Sequence, residues 1–148
     1  SYSVTGVQTC ALPISDDPNA PPVEQETSRL LNAIEKIVVS DSLTPQETGP
    51  WQDSTRILKR SDAYEQIAGL KAQTGKDILI FGSHTLWNDL LNHGLVDELH
   101  LLIGPVVLGA GTPLFEGKPA VSLRLIDTQT WEGSGIVLIR YLPYLPES

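Results

Sequence analysis

The sequence predicts an α/β fold: a mixed, mostly parallel sheet flanked by helices and finished by a C-terminal antiparallel hairpin. Three observations carry this. Short β-branched runs alternate with helical patterns between residues 36 and 104, the signature of parallel strands joined by crossovers. DILIF (77–81) is continuously apolar, as in a strand buried on both faces. Finally, VSLRLIDTQTW (121–131) and SGIVLIRYL (134–142) alternate in polarity and are joined by Glu132 and Gly133, as in a hairpin closing a sheet edge.

The elements follow in order. Residues 16–27, DDPNAPPVEQET, are polar and proline-rich and read as a linker. SRLLNAIE (28–35) is a short helical candidate, and KIVVS (36–40) and TRILK (55–59) are strands. Two prolines and a glycine make 41–54 a loop. SDAYEQIAGLKAQTG (61–75) is a helix, with Asp62 and Glu65 spaced as a capping box and Gly75 at its end. A second helix runs from about Thr85 to His93, stacking Leu86 on Leu90 and Trp87 on Leu91, and stops at Gly94. VDELHLLIG (96–104) is the next strand.

Composition narrows the function. At 148 residues the chain fits one domain, large enough to bury about 70% of its unfolded surface without disulfides. A net charge of −8, with ten basic residues scattered among eighteen acidic ones, argues against nucleic acid and against an anionic membrane surface. One cysteine, Cys10, excludes a disulfide framework, and the spacing of His84, His93 and His100 matches no common metal pattern. No apolar run approaches the ~20 residues of a membrane span and no secretory signal is visible, so a cytoplasmic protein is expected.

Two stretches could hold a ligand. In ILIFGSHTLWNDLL (78–91) a strand runs through Phe81 into Gly82, Ser83, His84 and Thr85 and then a helix. The first helical amides are unpaired and carry the positive end of the dipole, so a phosphate can sit there without a lysine. The plainer reading is an ordinary strand-to-helix turn with Ser83 as N-cap. VVSDSL (38–43) likewise ends a strand, placing Ser40, Asp41 and Ser42 near a sheet edge where ligands collect, or else merely starting a polar loop. GPVVLGAGTPLF (104–115), with three glycines and two prolines, is a ligand-facing turn or a connector.

Taken in order, KIVVSDSL, DILIFGSHTLWNDLLNHGLVDELHLLIGPVVLGAGTPLFEG and LRLIDTQTWEGSGIVLIRYLP resemble the dihydrofolate-reductase-like superfamily. The branch it resembles is the C-terminal reductase domain of the bacterial riboflavin deaminase-reductase and its stand-alone relatives, over residues 16–145. LVDELHLLIGPVVLGAGTPLF is the most specific part. The resemblance implies an NADPH-dependent reductase of the 5-amino-6-(5-phosphoribosylamino)uracil reductase type, acting on a small pyrimidine or pterin-like compound, and commonly a homodimer. It matches Phe81, Gly82, Ser83, His84 and Thr85 to the pyrophosphate turn, and Ser40, Asp41 and Ser42 to the segment near the adenosine 2′-phosphate. Relatives often carry a basic residue where this chain has Asp41. A carboxylate beside a 2′-phosphate is repulsive, so NADH is not excluded. The rival expectation is a nucleotide-binding or oligomerisation module without hydride chemistry.

The front of the chain departs from that family. Its SLDG-type strand and GRxTYE-like helix start, which supply the central strand and much of the substrate and nicotinamide pockets, do not occur here. Instead VTGVQTCALPI (4–14) resembles the translation of a common short-read sequencing adapter. The expectation is a non-native tail over 1–15 and a partial reductase domain over 16–148, without its first strands, its catalytic residues unidentified and its activity lost.

Overall fold

The computed structural model describes residues 2–4, 17–117 and 121–144. The chain divides into two units, residues 1–83 and 84–148, each taken by itself.

The first unit is a parallel sheet with its helices. Strand β1 is Tyr2–Val4, helix α1 is Pro22–Ala33, β2 is Glu35–Val39, β3 is Thr55–Leu58, α2 is Ala63–Lys71 and β4 is Ile78–Ile80. The sheet order is β3-β2-β1-β4, all neighbours parallel. Ile37, fully buried in the middle of β2, packs in a core with Trp51, Leu58, Ala63, Ile67 and Leu70.

Three features of this unit differ from the sequence reading. The sequence leaves the position between β2 and β4 without a strand, yet Tyr2–Val4 fills it, pairing Val4 with both Ile37 and Ile80. A gap there would orphan two rows of backbone donors and acceptors, and a short extended segment satisfies them. The rest of the adapter-like segment, residues 5–14 with Cys10, lies outside the described residues. DILIF is not buried on both faces: β4 is the edge of this four-stranded sheet, and Leu79 and Phe81 are exposed.

The third difference concerns helix starts. The supposed linker contributes the first half of α1, because Pro22 stands in the first turn, where its missing N–H costs nothing. The expected Asp62–Glu65 capping box does not form. A 3₁₀ turn, Arg60–Asp62, leads into α2 instead, and Asp62 accepts from the Ser61 hydroxyl. A capping box does form at Thr44 and Glu47, opening the 3₁₀ segment Pro45–Ser54 inside the expected loop. The Glu47 carboxylate accepts from the Thr44 N–H at 2.7 Å and its hydroxyl at 2.8 Å. These bonds hold it below the usual carboxylate range.

The second unit contains helix α3, His84–Asn92, and strands β5 (Leu99–Ile103), β6 (Ser122–Thr130) and β7 (Val137–Tyr144). Helix α3 ends at Gly94 as expected: Leu95 N–H donates to Leu90 O and Gly94 N–H to Leu91 O, a Schellman closure. Leu90 and Leu91 of α3 and Leu99 of β5 are this unit's buried apolar residues.

The hairpin forms, with a register shift between Leu125 and Asp127, but it does not simply close an edge. Strand β7 lies in the middle of an antiparallel β5-β7-β6 sheet, so β5 pairs with the last strand rather than extending a parallel series. Charge helps fix this register. Arg140 lies across from His100 on β5 and Asp127 on β6, and its guanidinium binds the Asp127 carboxylate through two nitrogens. That bond draws the carboxylate below its ordinary range.

Candidate functional site: two turns at the carboxyl ends of the parallel strands

The register of the parallel sheet brings the two segments singled out in the sequence to one end of it. Ile37, Val4 and Ile80 stand side by side, and Val39 and Gly82 each lie two residues further along the chain. One strand separates them, so the two turns lie roughly 10 Å apart at one sheet edge. That is where ligands gather in open α/β sheets.

After β2 the chain turns sharply at Ser40. The Ser40 N–H continues the ladder to Leu58 O at 2.9 Å, and its hydroxyl accepts from Leu43 N–H at 3.0 Å and Ser42 N–H at 3.3 Å. Pairing of Val39 with Leu58 brings the residues just after β3, Lys59 and Arg60, alongside. Lys59 Nζ donates to Asp41 O at 2.9 Å and the Arg60 N–H to Asp41 Oδ1 at 3.0 Å, with the guanidinium 3.6 Å from Oδ2. Asp41 is thus met by two cations that follow the neighbouring strand. Sequence reasoning missed them, since they lie about twenty positions away and only the parallel register joins them.

After β4 the chain passes through Phe81 to Gly82, whose φ of +74° is a left-handed conformation that favours glycine. A Cβ built there would meet nothing within 4 Å among the described residues. Ser83 is half-buried and precedes α3; Thr85, in its first turn, is exposed. Residues 82–85 are therefore a left-handed step followed by a helix start.

His84 differs from a simple exposed first-turn residue. Its Nε2 lies 2.6 Å from Pro113 O and 3.2 Å from Leu114 O, and its Nδ1 3.1 Å from a Glu116 carboxylate oxygen. The ring meets Trp87 edge-on, and Trp87 meets Phe115 the same way. The imidazole therefore ties the end of the glycine-rich 104–115 segment to α3, so that segment is at least partly a structural connector. Trp51 is core: its Nε1 donates to Asn32 Oδ1 at 3.2 Å. Trp131 is partly exposed.

Among the described residues no cluster of three His, Cys, Asp or Glu side chains could hold a metal ion, and no helix is long and apolar enough to cross a membrane.

With this geometry in view, comparison with known proteins decides the family. The RibD C-terminal domain model matches residues 3–138. The chain belongs to the RibD C-terminal domain family. That family is reductase-like, with a dihydrofolate-reductase-like fold. Among relatives, YyaP of Bacillus subtilis (strain 168), itself uncharacterised, is 37% identical over 131 residues, 88% of this chain. YwjB of the same organism, also uncharacterised, is 44% identical over 80 residues, 53% of the chain. The chain spans 64% and 46% of the lengths of these two relatives.

Solved structures show the same fold. A Shewanella sp. PV-4 protein named for riboflavin biosynthesis superposes with a TM-score of 0.67 at 23% identity, covering 97% of this chain and 73% of its own. The riboflavin biosynthesis reductase Rib7 of Saccharomyces cerevisiae superposes with a TM-score of 0.50 at 16% identity, covering 97% and 86%.

Proposed function

We propose that this domain is the cofactor-binding part of an NADPH-dependent reductase whose substrate is a small pyrimidine or pterin-like compound, with the ribosylaminopyrimidine of riboflavin synthesis the first candidate. The observation that carries the reading is the left-handed step at Gly82, at the same end of the sheet as the Ser40–Ser42 turn one strand away. The turn Gly82–Thr85, a glycine step followed by a helix start, would hold a pyrophosphate. Within the first unit, Ser40–Ser42 with Lys59 and Arg60 would hold an adenosine 2′-phosphate.

A magnitude decides whether Asp41 forbids NADPH. The Arg60–Asp41 pair is well exposed, with side chains 76% and 58% accessible. Such pairs are worth at most about 1 kcal/mol. A charge-assisted bond to a dianionic phosphate is worth about 1.5–3 kcal/mol. The phosphate therefore draws the guanidinium from Asp41, and that bond together with the Lys59 charge is set against an Asp41–phosphate repulsion of about 1–4 kcal/mol at about 4 Å. On this account NADPH is preferred over NADH despite Asp41.

When bound, NADPH supplies the hydride. What these residues do is narrower: Gly82 lets the phosphates approach, the α3 amides bind them, and Lys59 and Arg60 select the 2′-phosphate. Residues 1–15 carry neither the SLDG-type nor the GRxTYE-like motif, although Tyr2–Val4 takes the central strand position, and hydride transfer needs nicotinamide and substrate held in near-attack geometry. The reading is therefore of a chain that binds dinucleotide without turning over.

The test is an NADPH-oxidation assay with 5-amino-6-(5-phosphoribosylamino)uracil. It uses this chain and the same chain with its genomic upstream sequence in place of residues 1–15. Turnover only in the second supports the reading. No NADPH binding by either contradicts it, and turnover by the first removes the claim of lost activity.

A further inference from the structure

Asn88 is the one buried polar residue of α3, 2% exposed. A mid-helix asparagine is normally a solvent-facing residue or a mild helix breaker. This one makes three side-chain hydrogen bonds. Its Nδ2 donates to His84 O at 3.0 Å and to Leu114 O at 3.1 Å, and its Oδ1 accepts from Glu116 N–H at 2.8 Å. The orientation is fixed by chemistry, since a flipped amide would set its oxygen against two carbonyls and its NH₂ against an N–H.

Two of the three bonds reach the 113–116 segment, the segment that also holds the His84 ring from both sides. Glu116 is thus fixed twice, its amide by Asn88 and its carboxylate on His84 Nδ1. All of these groups lie within the second unit.

We infer that Asn88 is a positioning residue: its buried amide locks segment 113–116 onto the first turn of α3, whose opening residues His84 and Thr85 belong to the proposed pyrophosphate turn. This rests on the reading of residues 82–85 as the pyrophosphate turn. Asn88 touches no ligand itself and acts through the backbone it fastens.

The experiment compares the full chain with Asn88→Asp, Asn88→Ala and Leu90→Val, titrating NADPH and following amide hydrogen exchange across 113–116. Asn88→Asp keeps the shape but turns two donors into an acceptor facing two carbonyls. Asn88→Ala deletes the bonds without that repulsion, in case the first variant does not fold. Leu90→Val weakens the same helix at a fully packed apolar position.

The lock predicts that both Asn88 variants bind NADPH about tenfold more weakly and exchange faster over 113–116. Leu90→Val should melt earlier yet bind within about twofold of wild type, which separates positioning from general stability. Unchanged affinity and exchange in the Asn88 variants, or an equal loss in Leu90→Val, overturns the inference while the reading of the turn stands. A wild-type chain that binds no NADPH overturns that reading and the positioning role with it. Exchange over 113–116 then still reports whether Asn88 fastens the segment.

Discussion

Replacing Gly82 by aspartate and by asparagine isolates the charge that the phosphate turn must tolerate. Both side chains have the same size, and both residue types enter the left-handed region more readily than most. Nothing among the described residues lies within 4 Å of the added Cβ, so neither substitution clashes with them. The stability cost is the backbone term alone, about 1 kcal/mol for a side chain at φ +74°. The binding cost differs. A carboxylate about 4 Å from a phosphate charge is repelled by about 1 kcal/mol in a water-like environment and about 4 kcal/mol near a protein surface. That is about five- to a thousandfold in affinity for Gly82→Asp, with Gly82→Asn remaining within a few-fold of wild type. Fluorescence titration of NADPH gives the affinities, in this chain or in a longer relative with the same turn. Urea unfolding gives the stabilities. Equal affinities for the aspartate and asparagine variants would refute the reasoning, because the phosphate would then lie elsewhere.

Other expectations follow from the same geometry. Lys59→Ala combined with Arg60→Ala should cost NADPH about tenfold or more while leaving NADH almost unchanged, checked by parallel titrations. Ile37→Ala, at a fully buried position, should destabilise the chain by about 2–5 kcal/mol, read by denaturant unfolding. Gly135→Ala should destabilise more than the positive φ alone implies, because a Cβ there comes within 3.0 Å of the Pro105 ring; thermal melting against Gly133→Ala, which has open space, measures the difference. Glu47 is held below the ordinary carboxylate range by Thr44, so its contribution is present above the unfolded value near pH 4.3 and is lost as pH falls through the folded one. Thr44→Ala should therefore flatten the acid limb of the stability–pH curve.

Much of the architecture could be read from local pattern. TRILK, DILIF and the two C-terminal alternating runs are strands within about three residues, and Gly94 ends its helix as expected. Local pattern misled where one residue type has two meanings. Pro21 and Pro22 read as linker, yet proline also opens helices. T-P-Q-E at 44–47 is a capping box spelled out in the sequence, hidden by the prolines around it. Long-range pairing was not legible at all. Nothing near VDELHLLIG says that its partner is the last strand, running antiparallel. The site followed the same rule. In the proposed site, Gly82 and Ser40 were visible because each follows a strand, whereas Lys59 and Arg60 join it only through the register of β2 with β3. Asn88 matters only because the chain returns to it at residues 114 and 116.

The most direct test of the central claim is a calorimetric titration of this chain with NADPH and, separately, with NADH. The account predicts binding of both, with NADPH tighter by about tenfold or more, and loss of that margin when Lys59 and Arg60 are replaced by alanine. Equal affinity for the two cofactors, or no binding of either, would contradict it.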